Sequence, residues 1–360
     1  MAQRVRASAK ERVAGGGNYF SLARQDVEFI PTGSKLLDLA LGGGWAERRI
    51  ANIIGDKSSG KTLLCIEAAA NFARKYAKGE IKYRETEAAF LPEYAGALGM
   101  PLSRVDFGDP QKPLETVEDL FEDLTAIVKV AKRPTLYILD SLDALSDRAE
   151  MDRDFDEGSY GTQKAKYMSK MFRMLVRQLA IKNVTILVVS QIRSRIGVTY
   201  GEQTTRTGGR ALDFYCSQVL SLAQTGRDVR TVGGIKRVVG VDVLGRVKKN
   251  KIGLSFREAE FNISFGYGIE DVASCVAWLK QAKALDRIGV IGRKNKNKNK
   301  DEDEDENKDG AKEYLTTLQK KPDKEFWAEV ANLHKAVEAR WREIDASFLP
   351  TRRKYGQDQA

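Results

Sequence analysis

Apolar positions along this chain repeat with two different periods. Short apolar runs at 50–54, 81–87, 135–139, 184–190, 218–223, 239–247 and 260–265 have strand length. Longer stretches with helical spacing, such as 114–132 and 163–181, lie between the earlier runs. Strands that alternate with helices predict an α/β fold, with a mostly parallel central sheet covered by helices on both faces. The later runs follow one another closely and are expected to add antiparallel strands.

Near residue 293 this pattern stops. Arg293-Lys294-Asn295-Lys296-Asn297-Lys298-Asn299-Lys300 is followed at once by Asp301-Glu302-Asp303-Glu304-Asp305-Glu306. Neither block can bury apolar surface, so a solvated linker is expected; opposite blocks that fold back on each other, or lysines that touch nucleic acid, are the alternatives. Helical spacing returns over 311–350, where Phe326, Val330, Leu333, Val337, Trp341 and Ile344 form one apolar stripe. The stripe is expected to pack on the chain's own core. His334, the single histidine, is expected at the surface or boundary of that helix, without a chemical role. The domain plan is a lead-in or oligomerisation segment at 1–30, a core at 31–290, a charged flexible linker at 291–310 and a small helical C-terminal region at 311–360.

Composition narrows the function. The 360 residues include 60 Lys and Arg against 50 Asp and Glu, a formal charge of +10 that favours a polyanionic partner, nucleic acid first. The hydrophobic share of 42% is enough to form a core. Cys65, Cys216 and Cys275 are far apart and lack C-x-x-C spacing, which argues against a disulfide framework or structural zinc and for a reducing compartment. No stretch reaches the roughly 20 apolar residues of a membrane span. The basic segment 1–13 lacks the apolar region of a signal peptide. A cytoplasmic protein, in a bacterium or in the host of a phage, is expected.

Candidate chemistry centres on Gly55-Asp56-Lys57-Ser58-Ser59-Gly60-Lys61-Thr62, a complete G-x-x-x-x-G-K-[ST] phosphate-binding loop between a predicted strand and a helix opening at Leu63. Its glycines let backbone N–H groups curl around phosphates, and the helix start adds a positive dipole end. Lys61 is expected to reach the outer phosphates and the Thr62 hydroxyl to ligate Mg²⁺, so the ligand is a nucleoside triphosphate such as ATP. Three further strand ends supply partners. Asp140 closes the run Tyr137-Ile138-Leu139 and would hold Mg²⁺ through water. Glu85 and Glu87 end another strand, and either could take a proton from attacking water. Gln191 ends a third and could hydrogen-bond the γ-phosphate. After it come Arg193, Arg195, Gly197, Gly201 and the run from Thr204 to Arg210, whose hydroxyls, glycines and cations suit a loop that grips phosphodiesters. A second candidate loop, 155–161, leads into a helix bearing Lys164, Lys166, Lys170 and Arg173.

Over residues 28–290 the chain resembles the RecA recombinases, with a divergent, phage-type (UvsX-like) character. The resemblance rests on Pro31-Thr32-Gly33-Ser34, Leu37-Asp38-Leu39-Ala40-Leu41-Gly42, the phosphate loop, Glu85-Thr86-Glu87 and Asp140-Ser141. Its most specific blocks are Gln191-Ile192-Arg193-Ser194-Arg195-Ile196-Gly197-Val198, Thr207-Gly208-Gly209-Arg210-Ala211-Leu212-Asp213-Phe214-Tyr215 and Lys249-Asn250-Lys251-Ile252. It implies a RecA-like P-loop ATPase core, with Glu87 activating water, Gln191 sensing the γ-phosphate and Tyr94 stacking on adenine. Nucleotide contacts are implied from Gly55 through Leu63. Lys249 and Lys251 are implied to reach the neighbouring protomer's ATP, and Phe214 to transmit nucleotide state between subunits. DNA contacts are implied for Lys166, Ser169 and Arg173 beside a first loop at 154–162, and for Arg193, Arg195, Thr207, Gly208, Gly209 and Arg210 in a second loop at 192–210.

The chain departs from the family at Asp56-Lys57, where Pro-Glu is usual, at Leu91, where an adenine-contacting Asp is frequent, and at Ser190, where Asn is frequent. The first-loop region is one residue longer up to Ser169, and the segment from 293 onward does not match. The implied function is a DNA-dependent ATPase that forms a helical filament on single-stranded DNA and exchanges it with a homologous duplex, with loading or mediator and single-strand-binding proteins as partners. A hexameric helicase with the same core and a non-catalytic recombinase paralogue are the alternatives.

Overall fold

A computed structural model describes residues 27–151, 162–194, 204–206, 209–290 and 300–350. In chain order its elements are β1 (Phe29–Ile30), α1 (Lys35–Leu41), β2 (Trp45–Ala46), β3 (Ile50–Gly55), α2 (Lys61–Lys75), β4 (Glu80–Glu85), α3 (Pro92–Ala97), β5 (Val105–Asp106), α4 (Val117–Val130), β6 (Thr135–Asp140), α5 (Arg148–Met151) and α6 (Thr162–Lys182). There follow β7 (Val184–Ser194), β8 (Thr204–Arg206), α7 (Gly209–Tyr215), β9 (Gln218–Val232), β10 (Ile235–Asn250), β11 (Glu258–Ser264), β12 (Gly268–Ile269), α8 (Asp271–Gln281), α9 (Lys300–Gln319) and α10 (Asp323–Ser347).

The main sheet has the order β12-β11-β10-β9-β3-β7-β6-β4-β5, with β8 hung on β7, while β1 and β2 pair separately. From β9 to β5 neighbours run parallel, and β10, β11 and β12 continue antiparallel, as the spacing of the late runs predicts. All residues of β3 and β6 are buried, because parallel strands joined by crossover helices are covered on both faces. Alternate side chains feed two apolar layers. Ala51, Ile53, Leu136, Ile138, Leu187 and Val189 pack with α1, α2 and α8. Ile50, Ile54, Tyr137, Leu139, Ile186 and Val188 pack with α4, α6 and α7. Helix α4 starts on a capping box in which Thr116 and Asp119 satisfy each other's backbone N–H groups. Arg84 fastens β4 to α4 by a bidentate pair with Asp123, Nε–Oδ2 2.8 Å and Nη2–Oδ1 3.2 Å.

Two segments differ from the sequence pattern. Strands β9 and β10 run well beyond the predicted 218–223 and 239–247, as a ribbon that turns at Gly233-Gly234, both with positive φ (56° and 79°). Val229, Val232, Ile235 and Val238 on the ribbon are all exposed, so no buried face imposes the alternation by which a strand is read. The acidic run 301–306, expected in a linker, lies within α9.

The C-terminal stripe packs inward. Val330, Leu333, Val337 and Trp341 are buried, Phe326 and Ile344 are half-buried, and Trp341 stacks on Trp278 of α8 with centroids 5.5 Å apart. A Lys35–Glu338 ion pair at 2.8 Å adds a link from α10 to α1. His334 is at the boundary of this helix but not idle: its Nε2 is 2.6 Å from Oδ2 of Asp271.

Candidate functional site

The parallel strands β3, β7, β6 and β4 are neighbours in the sheet, and at one edge they carry Gly55, Gln191, Asp140 and Glu85, with β7 running three residues past Gln191. Gly55 closes β3 and opens the phosphate loop. An added Cβ there would meet the Leu222 carbonyl oxygen and Ser59 Oγ at 2.6 Å, so only glycine fits. Gly60 sits in the left-handed region (φ 89°) immediately before α2, which glycine tolerates without strain. Lys61 turns its ammonium back onto the loop, donating to the carbonyls of Gly55 (3.1 Å) and Asp56 (2.6 Å), and Ser59 Oγ donates to Asp56 O at 2.9 Å. Burial lowers the Lys61 pKa, while Asp140, Glu87, Asp56 and Asp143 oppose the shift.

Asp140, at the end of β6, is buried. Burial raises its carboxyl above the usual range, and hydrogen bonds from the Thr62 and Tyr83 hydroxyls pull it back. The Tyr83 bond, 2.9 Å to Oδ2, comes from the interior of β4. Thr62 and Asp140 therefore meet.

The turn after β4 separates the two glutamates. Glu85 accepts the backbone N–H groups of Glu87 (2.9 Å), Ala88 (2.9 Å) and Ala89 (3.1 Å), so its carboxylate is spent holding the turn. Glu87 instead projects to the cleft. Its Oε1 accepts from Gln191 Nε2 at 3.1 Å and from the Ser141 hydroxyl. Thr86 ties this turn to the next strand end: its N–H donates to Asp140 O (2.9 Å), its hydroxyl donates to Ser141 O (2.7 Å), and Ser141 N–H donates to its Oγ1 (2.9 Å). Gln191 is held from behind, its N–H donating to Asp143 Oδ2 at 2.6 Å. Ser190 is buried and takes a 2.9 Å bond from Asn52 Nδ2, so this departure from the family pattern is absorbed inside the sheet.

These groups line one cleft of about 460 Å³, formed by residues 57–63 with Glu87, Tyr94, Asp140 and Gln191. Val241, Ile263 and Phe265, from the antiparallel half of the sheet, complete its wall. Nothing in the local pattern of β10 and β11 separates Val241 and Ile263 from ordinary core residues, and Phe265 lies exposed just past β11. Leu91 is exposed and does not line the cleft.

Other predicted residues lie elsewhere. Lys249 and Lys251 do not line this cleft; Lys249 Nζ donates to the carbonyls of Asp213 and Phe214 (3.1 Å to the latter), and Lys251 Nζ to Phe214 O at 3.2 Å. They cap the end of α7, with the Lys251 ammonium 5.8 Å from the ring centroid of Phe214, which is 69% exposed. Lys166 and Arg173 are exposed on α6 and Ser169 is half-buried, with Arg173 Nε 3.4 Å from the Tyr215 hydroxyl. Arg193 is in β7, and Gly209 and Arg210 open α7. The first loop up to residue 161, together with Arg195, Thr207 and Gly208, lies outside the described residues. Strand β8 pairs antiparallel with β7, Ile192 opposite Arg206, so the ends of the second-loop segment are brought side by side.

The RecA N-terminal domain family matches residues 6–270 of this chain. The chain belongs to the RecA family. It is 36% identical over 272 residues to Protein RecA of Thermus thermophilus, covering 74% of this chain and 76% of the relative. Protein RecA of Prochlorococcus marinus is 34% identical over 287 residues (78% and 74%), and that of Nostoc punctiforme 35% over 332 residues (90% and 85%). Membership of the RecA family makes this an ATP-binding, DNA-binding recombinase with DNA-dependent ATPase activity. The phage-type affiliation is not carried by these matches. The RecA family match ends at residue 270, immediately before α8. No described helix is long and apolar enough to cross a membrane.

Proposed function

We propose that this chain hydrolyses ATP in the cleft at the edge of β3, β7, β6 and β4, and that Glu87 is the group that takes the proton from attacking water. One observation carries this: Glu87 Oε1 is held by Gln191 Nε2 at 3.1 Å, beside the phosphate loop and at the root of the segment leading to the second predicted DNA loop. Lys61 binds the outer phosphates, giving up its bonds to Gly55 and Asp56. Tyr94, half-buried on the same wall, stacks on the base. The Thr62 hydroxyl and the Asp140 carboxylate form a hard oxygen pair, and a buried carboxylate near Glu85 and Glu87 is favoured in its charged form by a divalent cation. Those residues fit Mg²⁺, which when bound neutralises phosphate charge.

A γ-phosphate contact by Gln191 would pull its amide from Glu87 and shift the backbone of β7 that continues toward 192–210. Binding of single-stranded DNA by that segment acts in reverse on Gln191, so DNA stimulates turnover. Lys249 and Lys251, already clustered beside the exposed Phe214, suit contact with a neighbouring copy's nucleotide in a helical filament on DNA in the cytoplasm. Strand exchange, with mediator and single-strand-binding proteins as partners, follows from the same assembly. The test is ATP turnover with and without single-stranded DNA, for the native chain and for Gln191→Ala. The native chain is expected to be stimulated strongly, and the variant to bind ATP but lose the stimulation. Turnover indifferent to DNA, or closed hexamers instead of filaments on DNA in electron micrographs, would overturn the proposal.

A further inference from the structure

Three metal-type donors converge where the C-terminal helix meets the core. Asp271 and Cys275 are one helical turn apart on the same face of α8, and His334 reaches them from α10. One ligand atom from each lies within 4.8 Å of the others. Asp271 Oδ2 is 2.6 Å from His334 Nε2, and Cys275 Sγ is 3.7 Å from Asp271 Oδ1. None of the three lines the nucleotide cleft. The only histidine of the chain is therefore held against a carboxylate and a buried thiol.

We propose that Asp271, Cys275 and His334 bind a borderline d-block cation, Zn²⁺ foremost, that fastens α10 to α8. The donor set of imidazole, thiolate and carboxylate suits zinc, whose bonds to N, S and O are about 2.0–2.3 Å long. Tetrahedral geometry with such bonds places donors about 3.3–3.7 Å apart. The Cys275 Sγ–Asp271 Oδ1 separation of 3.7 Å already has that value, whereas His334 Nε2 faces the other oxygen, Oδ2, at 2.6 Å, so the imidazole must shift toward Oδ1 for one carboxylate oxygen to serve both partners. Side chains of Asp271 and His334 are 19% and 31% accessible, which leaves the fourth position to water. The Lys35 backbone N–H donates to Asp271 Oδ1 at 2.6 Å and fixes the carboxylate, as hydrogen bonds around metal ligands do. The neighbouring Lys35 ammonium is engaged by Glu338 at 2.8 Å. On binding, the Cys275 thiol gives its proton to solvent, and the proton shared by His334 Nε2 and Asp271 Oδ2 is also released to solvent, with Nδ1 keeping its own, so that Nε2 is free to coordinate. The spacing of cysteines could not disclose such a site, since its third ligand is 59 positions beyond Cys275 and is delivered by packing of the tail.

The proposal is tested on the full chain, stripped with a chelator and titrated with Co²⁺, then Zn²⁺. One Co²⁺ per chain is expected, with a sulfur-to-cobalt charge-transfer band that Zn²⁺ abolishes by displacement. Oxygen ligands at Thr62 and Asp140 cannot give that band. Cys275→Ala should remove it, and His334→Gln, which keeps a donor for Asp271, should weaken binding by about tenfold or more. Both variants should keep DNA-stimulated ATP turnover. A native chain without the band, or variants that bind Co²⁺ as the native chain does, would overturn the site.

Discussion

Exchanging Glu87 or Glu85 for a neutral residue should separate catalysis from turn stability. Glu85 closes β4 and Glu87 lies in the turn after it, but only Glu87 faces the cleft, while Glu85 holds three backbone N–H groups. Glu87→Gln keeps a side chain of the same size that can still bond Gln191, yet cannot accept a proton at neutral pH. Loss of a general base lowers turnover by about 10²–10⁴-fold, or about 3–5 kcal/mol of barrier at 1.36 kcal/mol per factor of ten. Because the partner bonds survive, the melting temperature and the KM for ATP should hardly move. Glu85→Ala removes three bonds to a carboxylate on an exposed turn, where water partly replaces them, at a cost of about 1 kcal/mol each and about 3 kcal/mol together. The melting temperature should therefore fall by several degrees. The assay pairs steady-state ATP hydrolysis on single-stranded DNA with thermal unfolding of each variant. If Glu87→Gln keeps turnover within about threefold of native, or if Glu85→Ala loses as much turnover with unchanged melting, the division between the two carboxylates is wrong.

Two further outcomes test the surroundings. Tyr83→Phe removes only the hydroxyl that donates to Asp140 at 2.9 Å; the Mg²⁺ concentration for half-maximal turnover should rise about tenfold, with the rate at saturating Mg²⁺ largely retained, and an unchanged Mg²⁺ curve would refute the role. Asp38 is half-buried, and the withdrawal of water from its carboxyl pushes it up to about 7 despite two hydrogen bonds from Thr32. Unfolded, it titrates near ~3.9, so between these values the folded chain binds more protons and stability falls as pH rises, with no further loss above about 7. Asp38→Asn should flatten that slope in urea unfolding followed from pH 4 to 8, and a slope equal to the native one would refute it.

The phosphate loop, Asp140 and Gln191 were legible in the sequence because each combines an apolar strand with a chemical group at its tip. The sheet then had to place those tips side by side, and parallel order does so with little freedom. What stayed hidden depends on partners distant in sequence. Tyr83 reads as one more apolar strand residue until β4 and β6 pair and set its hydroxyl on Asp140, 57 positions away. The residue pattern alone leaves Glu85 and Glu87 unranked because both stand at a strand end, and only the resemblance favours Glu87; the path of the turn, with Ala88 at φ 55°, sends Glu87 to the cleft and keeps Glu85 on the backbone. His334 reads as a surface or boundary residue without a chemical role because a helical stripe reveals which face is apolar, not which acid waits at its edge. The acidic block misled for another reason: composition shows that a segment cannot form a core, but not that it cannot continue a helix whose later turns, Lys312 to Gln319, adjoin one.

Coupling between nucleotide and DNA needs no long chain of intermediates in this arrangement. Gln191 makes two bonds of opposite purpose: its backbone N–H is fixed to Asp143 on the turn after β6, and its amide reaches Glu87 on the turn after β4. The residue beyond it, Ile192, is paired across to Arg206. A displacement of the paired ends 192–194 and 204–206 must be transmitted into Gln191, because β7 is clamped between β3 and β6 and cannot slide as a whole. Rotation at that one residue changes the hydrogen bond on which the orientation of Glu87 depends. The carboxylate proposed as the base and the segment proposed to bind polynucleotide are in this sense joined through a single side chain, and the sheet is the frame that makes its movement count.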